Sequence, residues 1–157
     1  MNFIIGVLLV ILTDQVSKVW VSSTMELGES IPIINNIFHI TYIQNPFSSF
    51  GLLKFSNKTF IITGLVIILI GIILLLKIAR NNKLVFFSFI LLVGGSLGNL
   101  IDRFRIGSVI DFLDFRIWPI FNIADTSLNI GIFLLIIHFL FQQKDDNKKS
   151  NMLEVEE

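Results

Sequence analysis

Cysteine is absent from this chain of 157 residues, which excludes disulfide bonds, cysteine-ligated zinc and a cysteine nucleophile. Histidine is scarce: the two histidines, His39 and His138, lie far apart, and neither belongs to an H-E-x-x-H motif. We therefore expect neither a metal ion nor a cofactor.

An excess of charge of one sign is also lacking, because 12 Lys and Arg residues balance 12 Asp and Glu residues. No Arg- and Lys-rich patch is visible, so we expect no nucleic-acid partner. Apolar residues, in contrast, are abundant: the chain is 54% hydrophobic with a mean hydropathy of +0.81, whereas soluble domains are roughly 45–50% apolar. This composition predicts a membrane protein, and the length suits one domain.

Four apolar segments are long enough, or nearly so, to cross the ~30 Å core of a bilayer as helices of about 20 residues. They are residues 2–23, 59–79, 84–102 and 123–143. The predicted fold class is therefore membrane α-helical, with four transmembrane helices in one membrane domain of residues 1–143. Because the first segment has no basic N-terminal region and no A-x-A-like cleavage site, we interpret it as a retained span rather than a signal peptide.

Basic residues near the ends of the spans predict their orientation. The link "KIARNNK" between the second and third spans and the tail of residues 144–157 are both rich in basic residues, so both termini are predicted to be cytoplasmic. We expect this charged cytoplasmic tail to be disordered. The loops of residues 24–58 and 103–122 then lie outside, although the second of them carries three arginines that oppose this assignment.

The first outer loop contains "IPIINNIFHITYI", in which two β-rich runs flank Asn35 and Asn36. This pattern predicts a β-hairpin. Because an isolated hairpin is only marginally stable, we expect it to pack on the membrane surface or on the second outer loop. The predicted fold therefore includes a small extracytoplasmic β-rich cap.

Ionisable residues within the spans are candidates for a functional site, because each costs at least ~2.5–3.5 kcal/mol at the middle of a bilayer. Polar residues of three spans and one loop are predicted to converge near the outer surface. They are Asp14 in the first span, Asn99, Asp102 and Arg103 at the end of the third, Asp111 and Asp114 in the loop, and Asp125 at the start of the fourth. Helical spacing places positions 99, 102 and 103 on one face. Their shared depth predicts a polar site that opens outward.

Each of these residues also has a purely structural interpretation. Asp14 and Lys18 can form an i, i+4 ion pair, and Asp102 can pair with the neighbouring arginines. Asp125 can be a first-turn helix charge, with Asn122 as the N-cap three residues earlier. Asp114 and its neighbour Arg116 are expected in a solvated loop. These separate interpretations do not explain why the polar residues share one depth.

A serine nucleophile is a further alternative, because "GGSLG" of residues 94–98 matches G-x-S-x-G. That motif requires a strand, a sharp turn and a helix, whereas a long apolar span precedes it here. Gly94 and Gly98 also form G-x-x-x-G, which lets helices approach closely in lipid. The base would have to be His138, which is predicted near the cytoplasmic end of its span. We therefore favour the packing interpretation.

Two carboxyl groups are the best remaining catalytic pair. Held close together, they share one proton: the protonated group can hydrogen-bond a scissile carbonyl, and the ionised group can take a proton from water. Asp125 suits the ionised role, because a helix N-terminus stabilises an anion. Spacing alone does not decide whether its partner is Asp102 or Asp111.

Four motifs carry a family resemblance. "TDQVSK" (13–18), "GNLIDR" (98–103), "SVIDF" (108–112) and "FNIAD" (121–125) occur in this order, and the chain resembles the lipoprotein signal peptidases, the type II signal peptidases of bacteria. The resemblance covers nearly the whole chain. It implies a catalytic pair of Asp111 and Asp125. The positions that match supporting residues of the family are Asp14, Asn45, Asn99, Asp102, Arg103, Asn122 and Ala124.

The resemblance implies an intramembrane aspartic endopeptidase of the bacterial cytoplasmic membrane. Such enzymes cut diacylglyceryl-modified prolipoproteins just before the lipidated cysteine and release the signal peptide. Asn99 and Asn122 would hydrogen-bond substrate backbone or orient the pair, and Asp102 and Arg103 would anchor the third helix to the loop that carries Asp111. The implied partners are lipid-modified precursors and membrane lipid, and we expect a monomer with its site near the outer surface.

One segment departs from the family pattern. "QNPFSSFG" of residues 44–51 has Gln44 at a usually basic position and bulkier residues where the family has a small flexible run. This departure would suit a divergent paralogue with altered substrate or inhibitor sensitivity. It also motivates an alternative function, a non-catalytic membrane protein that binds lipoprotein signal peptides. A small transporter or channel subunit is a third hypothesis, in which the same aspartates form an ion site.

Overall fold

The computed structural model describes residues 2–46, 57–78 and 82–155, with side chains described through residue 73 in the second range and through residue 142 in the third. Within these ranges, four helices and three strands follow one another. They are α1 (Phe3–Thr24), β1 (Ser30–Ile34), β2 (Phe38–Asn45), α2 (Asn57–Ile78), α3 (Lys83–Ile106), β3 (Val109–Asp114) and α4 (Ile123–Val155). Each predicted span therefore corresponds to a helix.

Three of these helices are long and apolar enough to cross a membrane, namely α1, α3 and the part of α4 from Ile123 to Gln142. The part of α2 from Asn57 to Ile73 is apolar as well, but shorter. The fold is thus mostly helical, with three to four apolar helices and one small sheet.

Two helices extend beyond their predicted ends. α3 continues past residue 102 to Ile106, so that Arg103 and Arg105 lie in its last turn, where positive charge stabilises the helix C-terminus. Gly107, with φ of 76°, ends the helix in the left-handed conformation. α4 continues to Val155, so the expectation of a disordered tail is wrong. Its polar residues extend a helix that the apolar part has already nucleated.

The predicted hairpin is present, with β1 and β2 antiparallel on either side of a turn in which Asn36 has a φ of 61°. Asn tolerates this left-handed conformation better than most residues. β2 also pairs antiparallel with β3, giving the strand order β1-β2-β3. The hairpin therefore packs on the second predicted outer loop. The sequence analysis did not predict β3, which carries Asp111.

α3 is the central helix and packs against α1, α2 and α4. Its glycines allow this close contact: a Cβ atom on Gly94 would lie 2.7 Å from Cβ of Val10 in α1, and one on Gly98 would lie 2.6 Å from a carboxylate oxygen of Asp14. "GGSLG" thus lies inside a continuous helix, as the packing interpretation requires. His138 Nδ1 lies 3.2 Å from the side chain of Asn82, the N-cap at the far end of α3.

Polar and apolar residues of α1 are arranged in the opposite way from a helix of a water-soluble protein. Leu8 and Leu12 are 57% and 58% exposed, whereas Asp14 and Lys18 are 0% and 1% exposed. An outward apolar surface around buried charged residues is the arrangement that lipid requires.

Candidate active site

Lys18 is the centre of a buried ion-pair network between α1 and α3. Its Nζ atom lies 2.8 Å from Oδ2 of Asp14 and 2.8 Å from Oδ2 of Asp102. It also donates to Oδ1 of Asn99 at 3.0 Å. The predicted i, i+4 pair of Asp14 and Lys18 is therefore present, and Asp102 has its ion pair with Lys18.

Asp14 connects this network to the start of α4. Its Oδ1 atom accepts the backbone N–H of Ala124 at 2.9 Å. Ala124 is fully buried, and a Cβ atom on Gly98 would lie only 3.2 Å from the Ala124 methyl group. A larger side chain at position 124 would thus separate α4 from α3, which explains a small residue there.

Asp102 connects the network to β3. Its Oδ2 atom accepts the backbone N–H of Ile110 at 3.2 Å, next to Asp111 in the chain. Gln15 contributes as well, because its Nε2 atom lies 3.1 Å from both Oδ1 of Asp102 and the carbonyl oxygen of Gly98. The strand that carries Asp111 is therefore held against the end of α3.

Arg103 faces a different neighbour. Its guanidinium carbon lies 4.2 Å from the ring centre of Phe60, and its backbone carbonyl accepts from the side chain of Asn57 at 3.1 Å. Both partners belong to α2. Of the three residues predicted to share a face of α3, Asn99 and Asp102 contact Lys18, whereas Arg103 packs towards α2.

Asn99 joins the ion-pair network to Asp125. Its Oδ1 atom accepts from Lys18 and, at 3.1 Å, from the side chain of Asn122. Its Nδ2 atom donates to Oδ1 of Asp125 at 2.7 Å. Asp125 thus has a short hydrogen bond from the central helix.

Asn122 bridges the two aspartates. Its Nδ2 atom donates to Oδ1 of Asp111 at 2.7 Å, and its Oδ1 atom accepts the backbone N–H of Asp125 at 2.8 Å. Its carbonyl oxygen accepts the backbone N–H of Thr126 at 3.1 Å, so Asn122 is the N-cap of α4 as predicted. Asp111 and Asp125 are therefore part of one hydrogen-bonded network.

Asp111 is almost fully buried, with 1% of its surface exposed. Its second oxygen, Oδ2, accepts from the side chain of Asn45 at 3.0 Å. Burial raises the pKa of Asp111 to about 7, and the nearby negative charge of Asp125 adds to this increase. The hydrogen bonds from the two asparagines and the positive charge of Lys18 oppose the increase without cancelling it.

Asp114 is not in a solvated loop, as the sequence analysis expected, but is buried at the end of β3. It accepts from Thr41 Oγ1 at 2.8 Å and from the side chain of Arg116 at 3.0 Å. Burial alone would raise the pKa of Asp114, but the hydrogen bonds from Arg116 and Thr41 hold it below its usual range. This carboxylate fastens β3 to β2, away from the aspartate network.

An apolar groove of about 480 Å³ has Asp125 in its lining. Residues of α2, α3 and α4 line it, together with two aromatic residues that precede α4. Its lining includes Ile67, Phe89, Leu92, Trp118, Phe121 and Ile132. The groove thus places an apolar surface next to a carboxyl group.

The sequence profile of the family described as "Signal peptidase (SPase) II" matches residues 6–141. The chain belongs to the signal peptidase II family. A lipoprotein signal peptidase of Halothermothrix orenii is 49% identical over 140 residues, which cover 89% of this chain and 96% of that relative. A lipoprotein signal peptidase of Moorella thermoacetica is 41% identical over 152 residues, covering 95% and 99%.

Two solved structures of bacterial membrane enzymes share the fold of this signal peptidase II family member. One has a TM-score of 0.87 and 35% identity, and the match covers 91% of this chain and 90% of the other. The second has a TM-score of 0.81 and 37% identity, covering 88% and 92%. The matched part of the chain includes every residue of the network, from Asp14 to Asp125.

The predicted site residues omit two members of the network, Lys18 and Gln15. Both lie in the "TDQVSK" motif, but Lys18 is expected only as the i, i+4 partner of Asp14. A signal for Lys18 was available in the sequence: a lysine within an apolar span is costly to bury, and one carboxylate offsets that cost poorly. This cost indicates that Lys18 needs more partners than Asp14. Of the divergent segment of residues 44–51, only Gln44, Asn45 and Pro46 are described, and residues 47–51 lie outside the described residues.

Proposed function

We propose that this chain is an aspartic endopeptidase that removes signal peptides from diacylglyceryl-modified prolipoproteins by cutting before the lipidated cysteine. Membership of the signal peptidase II family supports the substrate class. The observation that carries the catalytic assignment is the bridge made by Asn122, which contacts Asp111 with its nitrogen and the backbone of Asp125 with its oxygen.

The two aspartates have different roles in the proposed reaction. Asp111 carries the shared proton, which is consistent with its burial and its raised pKa of about 7. Asp125 is ionised, because it accepts from Asn99 and lies at the N-terminus of α4. The pair titrates as a unit, so one proton serves both carboxyl groups.

Hydrolysis then proceeds in two steps. Asp125 takes a proton from water as the water oxygen bonds to the scissile carbonyl carbon, and Asp111 gives its proton to the carbonyl oxygen. In the second step the carbon–nitrogen bond breaks: Asp125 returns its proton to the leaving nitrogen, and Asp111 recovers a proton from a hydroxyl of the intermediate. Both carboxyl groups end as they began, and no metal or cofactor enters the reaction.

The supporting residues keep this pair in place. Asp14 and Asp102 hold the start of α4 and β3, respectively, through backbone N–H groups. Asn45 holds Asp111 from β2. Ala124 allows α4 to approach α3, and Arg103 is within electrostatic range of both aspartates. We assign to these residues positioning roles rather than chemical ones.

The groove that has Asp125 in its lining receives the substrate. Its apolar lining suits the hydrophobic part of a signal peptide and the acyl chains of the modified cysteine, and its opening between helices would let both enter from lipid. The scissile bond would then lie next to Asp125.

We further propose that all four helices cross the bacterial cytoplasmic membrane, that both termini are cytoplasmic and that the sheet is an extracytoplasmic cap. The basic link between α2 and α3 and the basic residues after residue 143 support this orientation. The active site then lies near the outer surface. We also propose that the protein is a monomer.

The test is cleavage of a diacylglyceryl-modified precursor by purified protein in liposomes. Asp111→Asn and Asp125→Asn should each reduce kcat by at least ~10²-fold, the effect of losing a general acid or base. Glu26→Gln is the matched control, because Glu26 is an exposed carboxylate outside the network. Near-normal cleavage by either folded aspartate variant would refute the assignment.

The alternative function, a membrane protein that binds lipoprotein signal peptides without cutting them, predicts a different result. The precursor would crosslink to the residues of the groove, and no shortened product would form from any precursor offered. An ion site of a transporter would instead be detected as flux across proteoliposomes that depends on Asp125.

A further inference from the structure

Lys18 has more partners than an ion pair needs. A lysine ammonium has three N–H donors, and Asp14, Asp102 and Asn99 accept one each, at 2.8, 2.8 and 3.0 Å. Two carboxylates already surround its single positive charge. The third contact, with a neutral amide, leads from the ion-pair network towards Asp125.

This third contact decides how the Asn99 amide is oriented. Because the ammonium can only donate, the atom of Asn99 that faces it must be the amide oxygen. The same oxygen also accepts from Asn122. A flipped amide would place N–H groups against the ammonium and its oxygen against the carboxylate of Asp125, and both contacts would be repulsive.

We propose that Lys18 is a positioning residue of the cleavage reaction: by binding the oxygen of Asn99, it forces the nitrogen of Asn99 to face Asp125. The proposal rests on the proposed function. The amide nitrogen donates to Oδ1 of Asp125 at 2.7 Å, and such a bond stabilises the carboxylate that must accept a proton from water. Lys18 acts through Asn99 and does not touch the reacting atoms.

Other charged groups also surround the pair of Asp111 and Asp125. They are Asp14 from α1, and Asp102 and Arg103 from α3, all of which belong to the network or lie in its electrostatic range. The positive charge of Lys18 itself favours ionisation of the pair. Its removal should therefore move the pH profile of kcat to higher pH, in addition to releasing the Asn99 amide.

The test measures kcat and KM from pH 5 to 9 for three substitutions. Lys18→Met should lower kcat by about 10²-fold, the scale of a misplaced catalytic group, with KM changed less than about threefold. Lys18→Arg retains N–H donors and the positive charge. We therefore expect this variant to keep most of the kcat of the unmodified protein. Lys83→Met is the matched control, because Lys83 is exposed at the opposite end of α3 and should leave kcat unchanged.

Lys18→Met leaves two buried carboxylates without their cation and could fail to fold. The double variant Lys18→Met/Asp102→Asn avoids this, because the trio of Asp14, Lys18 and Asp102 has a net charge of −1 both before and after the change. We expect it to melt near the temperature of the unmodified protein and to lose about 10²-fold in kcat relative to Asp102→Asn alone. A folded double variant whose kcat equals that of Asp102→Asn would overturn the proposal.

A double-mutant cycle separates action through Asn99 from direct electrostatics. If Lys18 acts through the amide, Asn99→Leu and Lys18→Met should each lower kcat, and together they should lower it scarcely further. Independent, multiplying losses would refute the proposed route. Cleavage that survives in Asp111→Asn or Asp125→Asn would instead refute the proposed function, so the two failures are distinguishable.

Discussion

The side-chain nitrogen of Asn122 lies 2.7 Å from Oδ1 of Asp111. The other end of the same amide caps α4 and accepts the backbone N–H of Asp125. One fully buried side chain therefore spans from the strand that carries one carboxyl group to the helix that carries the other. This asparagine therefore connects the two aspartates directly.

Replacement of Asn122 by serine should separate its two roles, the N-cap of α4 and the hydrogen bond to Asp111. Serine is a good N-cap but is too short to reach Asp111, so we expect α4 to remain capped and kcat to fall by about 10²-fold. Asn122→Ala should lose the cap as well, at an additional cost of about 1 kcal/mol in the free energy of unfolding. Precursor cleavage and thermal melting measure the two effects. A serine variant with normal kcat would show that the contact with Asp111 is dispensable.

The rate of cleavage should fall as the pH rises through about 7. Burial raises the pKa of Asp111 to about 7, and the proposed reaction requires Asp111 to be protonated. Above that pH we expect kcat/KM, which reports the pKa values of the free enzyme, to decrease by about 10-fold per pH unit, the slope for loss of one proton. Initial rates at low precursor concentration from pH 5 to 9 test this, with melting curves at pH 9 to exclude unfolding. A constant kcat/KM up to pH 9 would contradict the assigned role.

The same pKa predicts how stability depends on pH. An unfolded aspartate is ionised above about pH 4, whereas Asp111 in the folded protein keeps its proton until about pH 7. Between these values the folded state binds more protons than the unfolded state, so the contribution of Asp111 to stability falls as the pH rises and is lost above about 7.

Asp111→Asn should therefore gain in melting temperature relative to the unmodified protein between pH 4 and pH 8, because asparagine does not ionise. Its amide NH₂ group faces the donor of Asn45 or Asn122, which adds a cost that is the same at both pH values. The exposed control Glu26→Gln should show little difference at either pH. Thermal melting in one detergent at both values measures the effect. A difference in melting temperature that stays the same from pH 4 to pH 8 would mean that burial does not raise the pKa of Asp111.

Some features could be predicted from sequence because local patterns determine them. The spans follow from apolar length, and the hairpin follows from the β-rich runs around Asn35 and Asn36. Asn122 as a cap of α4 follows from its distance of three residues from Asp125. The family resemblance, rather than spacing, singled out Asp111.

Other features could not be predicted because they depend on contacts between distant segments. Asn45 and Asp111 are 66 residues apart in sequence, and Asp14 and Ala124 are 110 apart. The sequence of the segment that forms β3 predicts only a loop. It becomes a strand because β2 pairs with it, and β2 is distant in sequence. The three contacts of Lys18 are likewise set by the packing of α1 on α3, which no spacing within one helix predicts.

Gly98 should tolerate substitution far less well than Gly64, although both are helical glycines. An alanine Cβ at Gly98 would lie 2.6 Å from a carboxylate oxygen of Asp14, whereas at Gly64 the nearest atom, in Leu100, would be 3.6 Å away. We expect Gly98→Ala to destabilise the protein by about 1–3 kcal/mol through overpacking. Gly64→Ala should stabilise it slightly, because alanine is the better helix former. Equal melting temperatures would show that α1 and α3 are farther apart than described.

Ile132→Trp should obstruct substrate binding, because Ile132 lines the same groove as Asp125. Tryptophan would fill part of the roughly 480 Å³ volume, so we expect KM for the lipid-modified precursor to rise by about 10-fold or more, with kcat at saturation little changed. Ile130→Trp is the matched control: the two isoleucines are similarly exposed, at 46% and 48%, but Ile130 does not line the groove. Since both substitutions enlarge an outward-facing side chain of α4, any general disturbance of the helix or of its contact with lipid should affect them alike. A normal KM for Ile132→Trp, or an equal rise in both variants, would mean that the precursor does not enter through this groove.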